Sequence, residues 1–183
     1  MFKQNDIQTA IDWIQSAKNI IITSHKSPDG DSIGSSLALK HFLSNMGIKS
    51  TICHPDKMPL FINWLEGSDD IKTLEQHPDI VKNELNKADL IFCLDYNHPS
   101  RIGRMGELLT ASAAKKIMID HHQDPDTEFV DILFSDPKNS STCQMIYEFI
   151  EQLGKTEYID EKVGTPMYCG IMTDTGSFRF PST

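Results

Sequence analysis

Three short runs in this sequence are apolar at almost every position, and each leads directly into acids or histidines. Ile20, Ile21 and Ile22 precede His25, Asp29 and Asp31. Leu90 to Leu94 precede Asp95, and Ile117, Met118 and Ile119 precede Asp120, His121 and His122. A run without polar alternation suits a strand covered on both faces, as in a parallel sheet. Strands are expected at residues 19–24, 48–53, 89–94, 116–119 and 128–134. Helical spacing of apolar residues predicts helices at 5–17, 32–46, 78–87, 104–114, 141–153 and 160–172, while 57–66 fits neither pattern. Gly47 and Gly154 stand where helices should stop. Asn5 or Asp6 is expected to cap the first helix, and one of Asn139, Ser140 and Ser141 the fifth, with a contact near the polar clusters as the alternative for these three. Strand–helix alternation predicts an α/β fold, an open and mostly parallel sheet flanked by helices.

In such a sheet, ligands bind beyond the carboxyl ends of the strands. The polar clusters that follow the three apolar runs then meet on one edge, and Asp174, closing the last helical stretch, is a further acid. Each has a plainer reading by itself. Asp31 could cap a helix, Asp95 could form a turn before Asn97 and Pro99, and Asp174 could end a helix. Their joint occurrence favours a metal crevice, because clustered carboxylates repel one another and divalent cations remove that cost. A set of four Asp and two His suits two Mn²⁺, Fe²⁺, Co²⁺ or Zn²⁺ ions. Two such ions about 3.5–4 Å apart can clamp a phosphoryl group for in-line displacement.

Composition narrows the function. Lys and Arg number 17 against 26 Asp and Glu, for a net charge of −9. That argues against a broad basic grip on long nucleic acid, so a phosphate ligand must be held locally. The four cysteines, Cys53, Cys93, Cys143 and Cys169, form no CxxC pair, and neither a zinc finger nor a disulfide scaffold is expected. The first residues lack a basic segment followed by an apolar one, and no run reaches membrane-spanning length, so a cytoplasmic protein without a membrane partner is expected. Gly30 and Gly34 lie near a strand–helix junction, but neither GxGxxG nor GxxxxGKS is present. His41, His54, His77 and His98 fall in no ligand pattern and are read as surface or packing residues. Trp13 and Trp64 are read as core.

HKSPDGDSIGS, FCLDYN, IDHH and GIMTDTGSF occur in this order. Together they resemble the four motifs of the DHH phosphoesterase family, named for the triplet Asp120-His121-His122. The flanking text is most similar to the oligoribonuclease/pAp phosphatase branch. The resemblance implies a phosphoesterase that hydrolyses short oligoribonucleotides or pAp through two Mn²⁺ ions, with Mg²⁺, Co²⁺, Fe²⁺ or Zn²⁺ as substitutes. It implies that His25 and Asp29 bind one ion and Asp31 the other, that Asp95 bridges both, and that His121 and Asp174 complete the second. Asp120 would orient a ligating imidazole, and His122 would face the substrate phosphate as electrostatic stabiliser or proton donor. Arg101 would either reach a substrate phosphate or pair with a surface acid.

Family alternatives are a manganese inorganic pyrophosphatase and a cyclic-dinucleotide phosphodiesterase; from another class, a non-catalytic metal- or nucleotide-binding module. A homodimer is left open. Members of the branch carry a second, C-terminal domain with a glycine-rich substrate motif. No such motif occurs in residues 1–183, so the chain is expected to be a catalytic domain truncated at its C-terminal end.

Overall fold

In a computed structural model, residues 2–179 are described; residues 180–183, the end of the segment TDTGSFRFPST, lie outside them. The strands are β1 (Ile20–Thr23), β2 (Ser50–His54), β3 (Lys72–Thr73), β4 (Leu90–Leu94), β5 (Lys115–Asp120) and β6 (Ile132–Ser135). They form one sheet in the order β3-β2-β1-β4-β5-β6, and every pairing is parallel. The helices are α1 (Gln4–Ser16), α2 (Gly30–Asn45), α3 (Pro78–Lys87), α4 (Met105–Ala111), α5 (Thr142–Gln152) and α6 (Glu161–Asp174).

Period-two alternation divides the core. Ile20, Ile22, Phe92, Leu94, Ile117 and Ile119 pack with residues of α1, α2, α5 and α6. Ile21, Ile91, Cys93 and Met118 face the other way, with Val81 and Leu85 of α3 and Met105 and Leu109 of α4. Both faces of the central strands are therefore buried, which is why these runs are continuously apolar.

The topology places the site. From β1 the chain moves outward to β2 and β3, then returns past β1 to β4 and continues outward on the other side. Strand order reverses between β1 and β4, which pair in register from Ile20 with Leu90 to Thr23 with Cys93. A crevice opens at the carboxyl ends of such a pair. His25 follows β1 and Asp95 follows β4.

Several expectations need correction. The N-cap of α2 is Asp29, which sets aside the plainer reading of Asp31 as a cap. Its side chain accepts from the backbone N–H of Asp31 and of Ser32, each at 3.0 Å, while Ser32 Oγ accepts from Asp29 N at 2.9 Å. This reciprocal cap frees Asp31 to point inward, where it is 1% exposed. Strand β3 escaped notice because two residues carry no period; its pairing with Cys53 and His54 defines it. Trp64 is exposed, because in the 3₁₀ segment around Leu60–Ile62 the inward positions go to Ile62 and Leu65. Trp13 is only partly buried, packed against the core with Lys115 Nζ 5.3 Å from its ring centroid. The helix α1 starts after Lys3, and neither Asn5 nor Asp6 is its cap. The strand expected at 128–134 is confined to Ile132–Ser135. All four cysteines are free and buried.

Candidate metal centre

The loop between β1 and α2 supplies the first group. His25 Nδ1 lies 2.8 Å from the Lys26 carbonyl, which can only accept, so Nδ1 carries the hydrogen. That turns Nε2 toward Asp29 Oδ2 at 3.5 Å and Asp95 Oδ2 at 3.3 Å. Burial works against a charged His25, but the two carboxylates outweigh it and raise its pKa to about 10. Burial likewise opposes ionisation of Asp29. His25 and the backbone amides of Ser32 and Asp31 overcome it and bring the Asp29 pKa down to about 2.

Asp95 stands between the halves of the site. It occupies the left-handed region, φ +63°, directly after β4, and is 2% exposed. Its backbone N–H donates to Ile119 O at 3.1 Å, tying it to β5. A backbone of this kind costs energy for a non-glycine residue, although Asp and Asn tolerate it best. Burial pushes the Asp95 carboxyl well above the usual range, and the Asp31 charge pushes it further.

The end of β5 delivers the DHH triplet. Asp120 is fully buried; its Oδ1 accepts from His122 Nδ1 at 2.7 Å and its Oδ2 from His122 N at 3.2 Å. The imidazole that Asp120 orients is thus that of His122, whose Nε2 lies 3.5 Å from Arg101 Nη2. The Asp120 hydrogen bond also raises the His122 pKa. His121 Nδ1 donates to Asn139 O at 3.2 Å. Its Nε2 then faces Asp95 Oδ1 at 3.6 Å, Asp174 Oδ2 at 3.6 Å and Asp31 Oδ2 at 3.9 Å. Asp174 is the last residue of α6; burial and then the Asp31 charge raise its pKa. Asp31 is raised too, chiefly by burial.

Donor atoms therefore gather as His25–Asp29–Asp95, Asp31–His121–Asp174 and Asp95–His121–His122, each trio within 4.8 Å. This donor set fits divalent cations. It mixes imidazole nitrogen with carboxylate oxygen, contains no thiolate, and anchors the far nitrogen of His25 and of His121 on a carbonyl, as ligating imidazoles are anchored. Burial, reinforced at Asp95 and Asp174 by neighbouring acids, disfavours the ionised forms of Asp31, Asp95 and Asp174, a cost that a divalent cation would remove.

Residues 19–171 match the model of the DHH family, N-terminal domain. This chain belongs to the DHH family. The bifunctional oligoribonuclease and PAP phosphatase NrnA of Thermus thermophilus is 35% identical over 165 residues, covering 90% of this chain and 45% of that protein. The crystal structure of an exopolyphosphatase-related protein from Bacteroides fragilis superposes with a TM-score of 0.97 at 38% identity, covering 100% of this chain and 54% of that one. RecJ from Thermus thermophilus, in complex with Mn²⁺, shares the fold at a TM-score of 0.54 and 15% identity, covering 94% of this chain and 24% of that one. The DHH chain thus spans about half the length of the first two relatives.

The structure brings together all nine residues singled out in the sequence. Among the described residues Arg101 pairs with no acid; it lies against His122, and its carbonyl accepts from Lys26 N at 2.9 Å. Ser141 is the cap of α5, accepting from Gln144 N at 3.1 Å. Two neighbouring contributors escaped sequence reasoning, the backbone N–H of Cys143, which donates to Asp31, and Thr142. Thr142, in the first turn of α5, contacts both Asp31 and Asp95. A lone threonine after two serines carries no signal distinguishing it from helix capping.

Proposed function

We propose that this chain is the metal-binding domain of a phosphoesterase, holding two Mn²⁺ ions and hydrolysing short oligoribonucleotides or a nucleoside 3′,5′-bisphosphate such as pAp. The observation that carries the reading is the pair of His–carboxylate groups, His25–Asp29–Asp95 and Asp31–His121–Asp174, joined through Asp95 at the point of strand reversal. The names of the NrnA relatives supply the substrate class.

When bound, the two ions would supply a water of lowered pKa and neutralise charge on the phosphoryl group. The chain's own residues do the rest. Asp120 holds His122 with Nδ1–H engaged, leaving Nε2 beside the Arg101 guanidinium. With its pKa raised, His122 is protonated over a wider pH range and is suited to give a proton at Nε2 to a leaving oxygen. Arg101 presents a guanidinium for bidentate contact with a phosphate.

The test is hydrolysis of a short oligoribonucleotide and of pAp by the Mn²⁺-loaded protein, with Asp95→Asn as control. Release of mononucleotide or phosphate that disappears with the variant or with chelator supports the reading. Stoichiometric Mn²⁺ without hydrolysis of either substrate would overturn it.

A further inference from the structure

The first turn of α5 grips both halves of the cluster. Asp31 lies in α2 and is buried, yet both of its oxygens accept backbone N–H groups from α5. Thr142 N donates to Oδ2 at 2.6 Å and Cys143 N to Oδ1 at 2.9 Å. Thr142 is itself fully buried, and its Oγ1 donates to Asp95 Oδ1 at 3.0 Å. The hydroxyl donates its single hydrogen to Asp95 Oδ1, which accepts it. One residue thus holds two carboxylates carried by different elements, one in α2 and one after β4.

The orientation of Asp95 matters more than its position. Oδ2 faces His25 at 3.3 Å, and Oδ1 faces His121 at 3.6 Å. Rotation of the carboxyl group about its own bond would withdraw each oxygen from its imidazole. Terminal torsions of this kind are broad, so something outside Asp95 must fix the angle. The backbone is pinned by Ile119 O, but that leaves the carboxyl free to turn. Alongside the His25 imidazole on Oδ2, the hydrogen bond from Thr142 Oγ1 restrains the carboxyl from the Oδ1 side.

We propose that Thr142 is a positioning residue for the metal centre, its hydroxyl setting the rotation of the Asp95 carboxylate while its backbone N–H holds Asp31 opposite. The assignment rests on the reading of the cluster as a metal centre. Partners of ligating groups typically affect metal affinity by about 10–100-fold when removed. The hydroxyl belongs to that class.

The experiment compares wild type, Thr142→Val and Thr142→Ser. Mn²⁺ affinity is measured by titration calorimetry, and the visible absorption of the Co²⁺-substituted proteins reports ligand geometry. Valine keeps the shape and the backbone donor but loses the hydroxyl; serine keeps the hydroxyl but loses the methyl. Thr142→Val should bind Mn²⁺ about 10–100-fold more weakly with an altered Co²⁺ spectrum, and Thr142→Ser should restore both. Should the valine variant not fold, Thr142→Ala replaces it. A purely structural role predicts the reverse: serine would share the loss through its missing methyl, and the spectrum would be unmoved in any folded variant. A folded variant without the hydroxyl that matches wild-type affinity and spectrum overturns the assignment and leaves the metal centre standing. Absence of stoichiometric Mn²⁺ in wild type overturns both.

Discussion

The His25 imidazole and the Asp95 carboxylate meet across the point where strand order reverses, Nε2 to Oδ2 at 3.3 Å. Two residues 70 positions apart become neighbours because β1 and β4 run side by side in register and each ends within two residues of its polar residue. The contact joins the group that follows β1 to the one that follows β4 and β5.

Asp95 should tolerate asparagine far better than alanine as a matter of folding. Its φ of +63° lies where Asn is accepted and a Cβ-bearing apolar residue is strained by about 1–2 kcal/mol. Urea unfolding of the metal-free variants should place Asp95→Asn near wild type and Asp95→Ala below it by about that amount. Metal analysis after Mn²⁺ loading and desalting should show a sharp drop in both. An asparagine variant that retains the wild-type metal content would remove Asp95 from the ligand set.

Helices α2 and α6 approach closely enough that a Cβ on Gly34 would lie 2.5 Å from the Pro166 carbonyl oxygen and 3.1 Å from Cys143 Sγ. Backbone cannot give way there. Gly34→Ala should cost about 1–3 kcal/mol by overpacking. It should also weaken metal binding, because α2 carries Asp31 and α6 carries Asp174. A variant of unchanged denaturation midpoint would refute the close packing.

His54 makes the fold acid-sensitive. Ser36 Oγ spends its hydrogen on Ser32 O at 2.7 Å, so in the 3.0 Å contact with His54 Nε2 the imidazole donates. His54 Nδ1 is buried without a hydrogen-bond partner among the described residues. Burial first, and then the charge of His25, pushes the His54 pKa from 6.5 to about 3. Between those values the unfolded chain takes up a proton that the folded one refuses. The His54 contribution to stability is therefore complete above about pH 6.5 and is lost as pH falls toward about 3, by up to about 1.4 kcal/mol per unit. Metal-free wild type should lose more stability between pH 7.5 and pH 5 than His54→Gln. Equal losses would exclude His54 as the cause.

Arg101 lies beside His122 and, among the described residues, has no acidic partner, which leaves its guanidinium for the phosphate of the proposed substrate. Arg101→Ala should lower kcat/KM on pAp by about 10–100-fold, the worth of one or two hydrogen bonds to a charged group, with metal content unchanged. Arg101→Lys should recover only part, since an ammonium cannot reproduce the guanidinium fork. Unaltered kcat/KM in the alanine variant would place the phosphate elsewhere.

The sequence by itself determined the strand–helix alternation, because a strand buried on both faces must be apolar throughout and Ile20 to Ile22, Leu90 to Leu94 and Ile117 to Ile119 are so. It also determined which polar residues end those strands, since they follow within a few positions. Only the tertiary structure decided which capped and which pointed inward. Asp29 and Asp31 are two residues apart and chemically alike, and the helical turn that lets Asp29 bond the Ser32 amide turns Asp31 into the interior. The same holds for Trp64, left outside while Ile62 and Leu65 fill the core, and for β3, which exists through its pairing rather than its composition. The role of Thr142 was beyond local reading for a related reason. Its partners Asp31 and Asp95 lie 111 and 47 positions away, and a hydrogen bond of that range is a property of how α5 docks, not of any pattern along the chain.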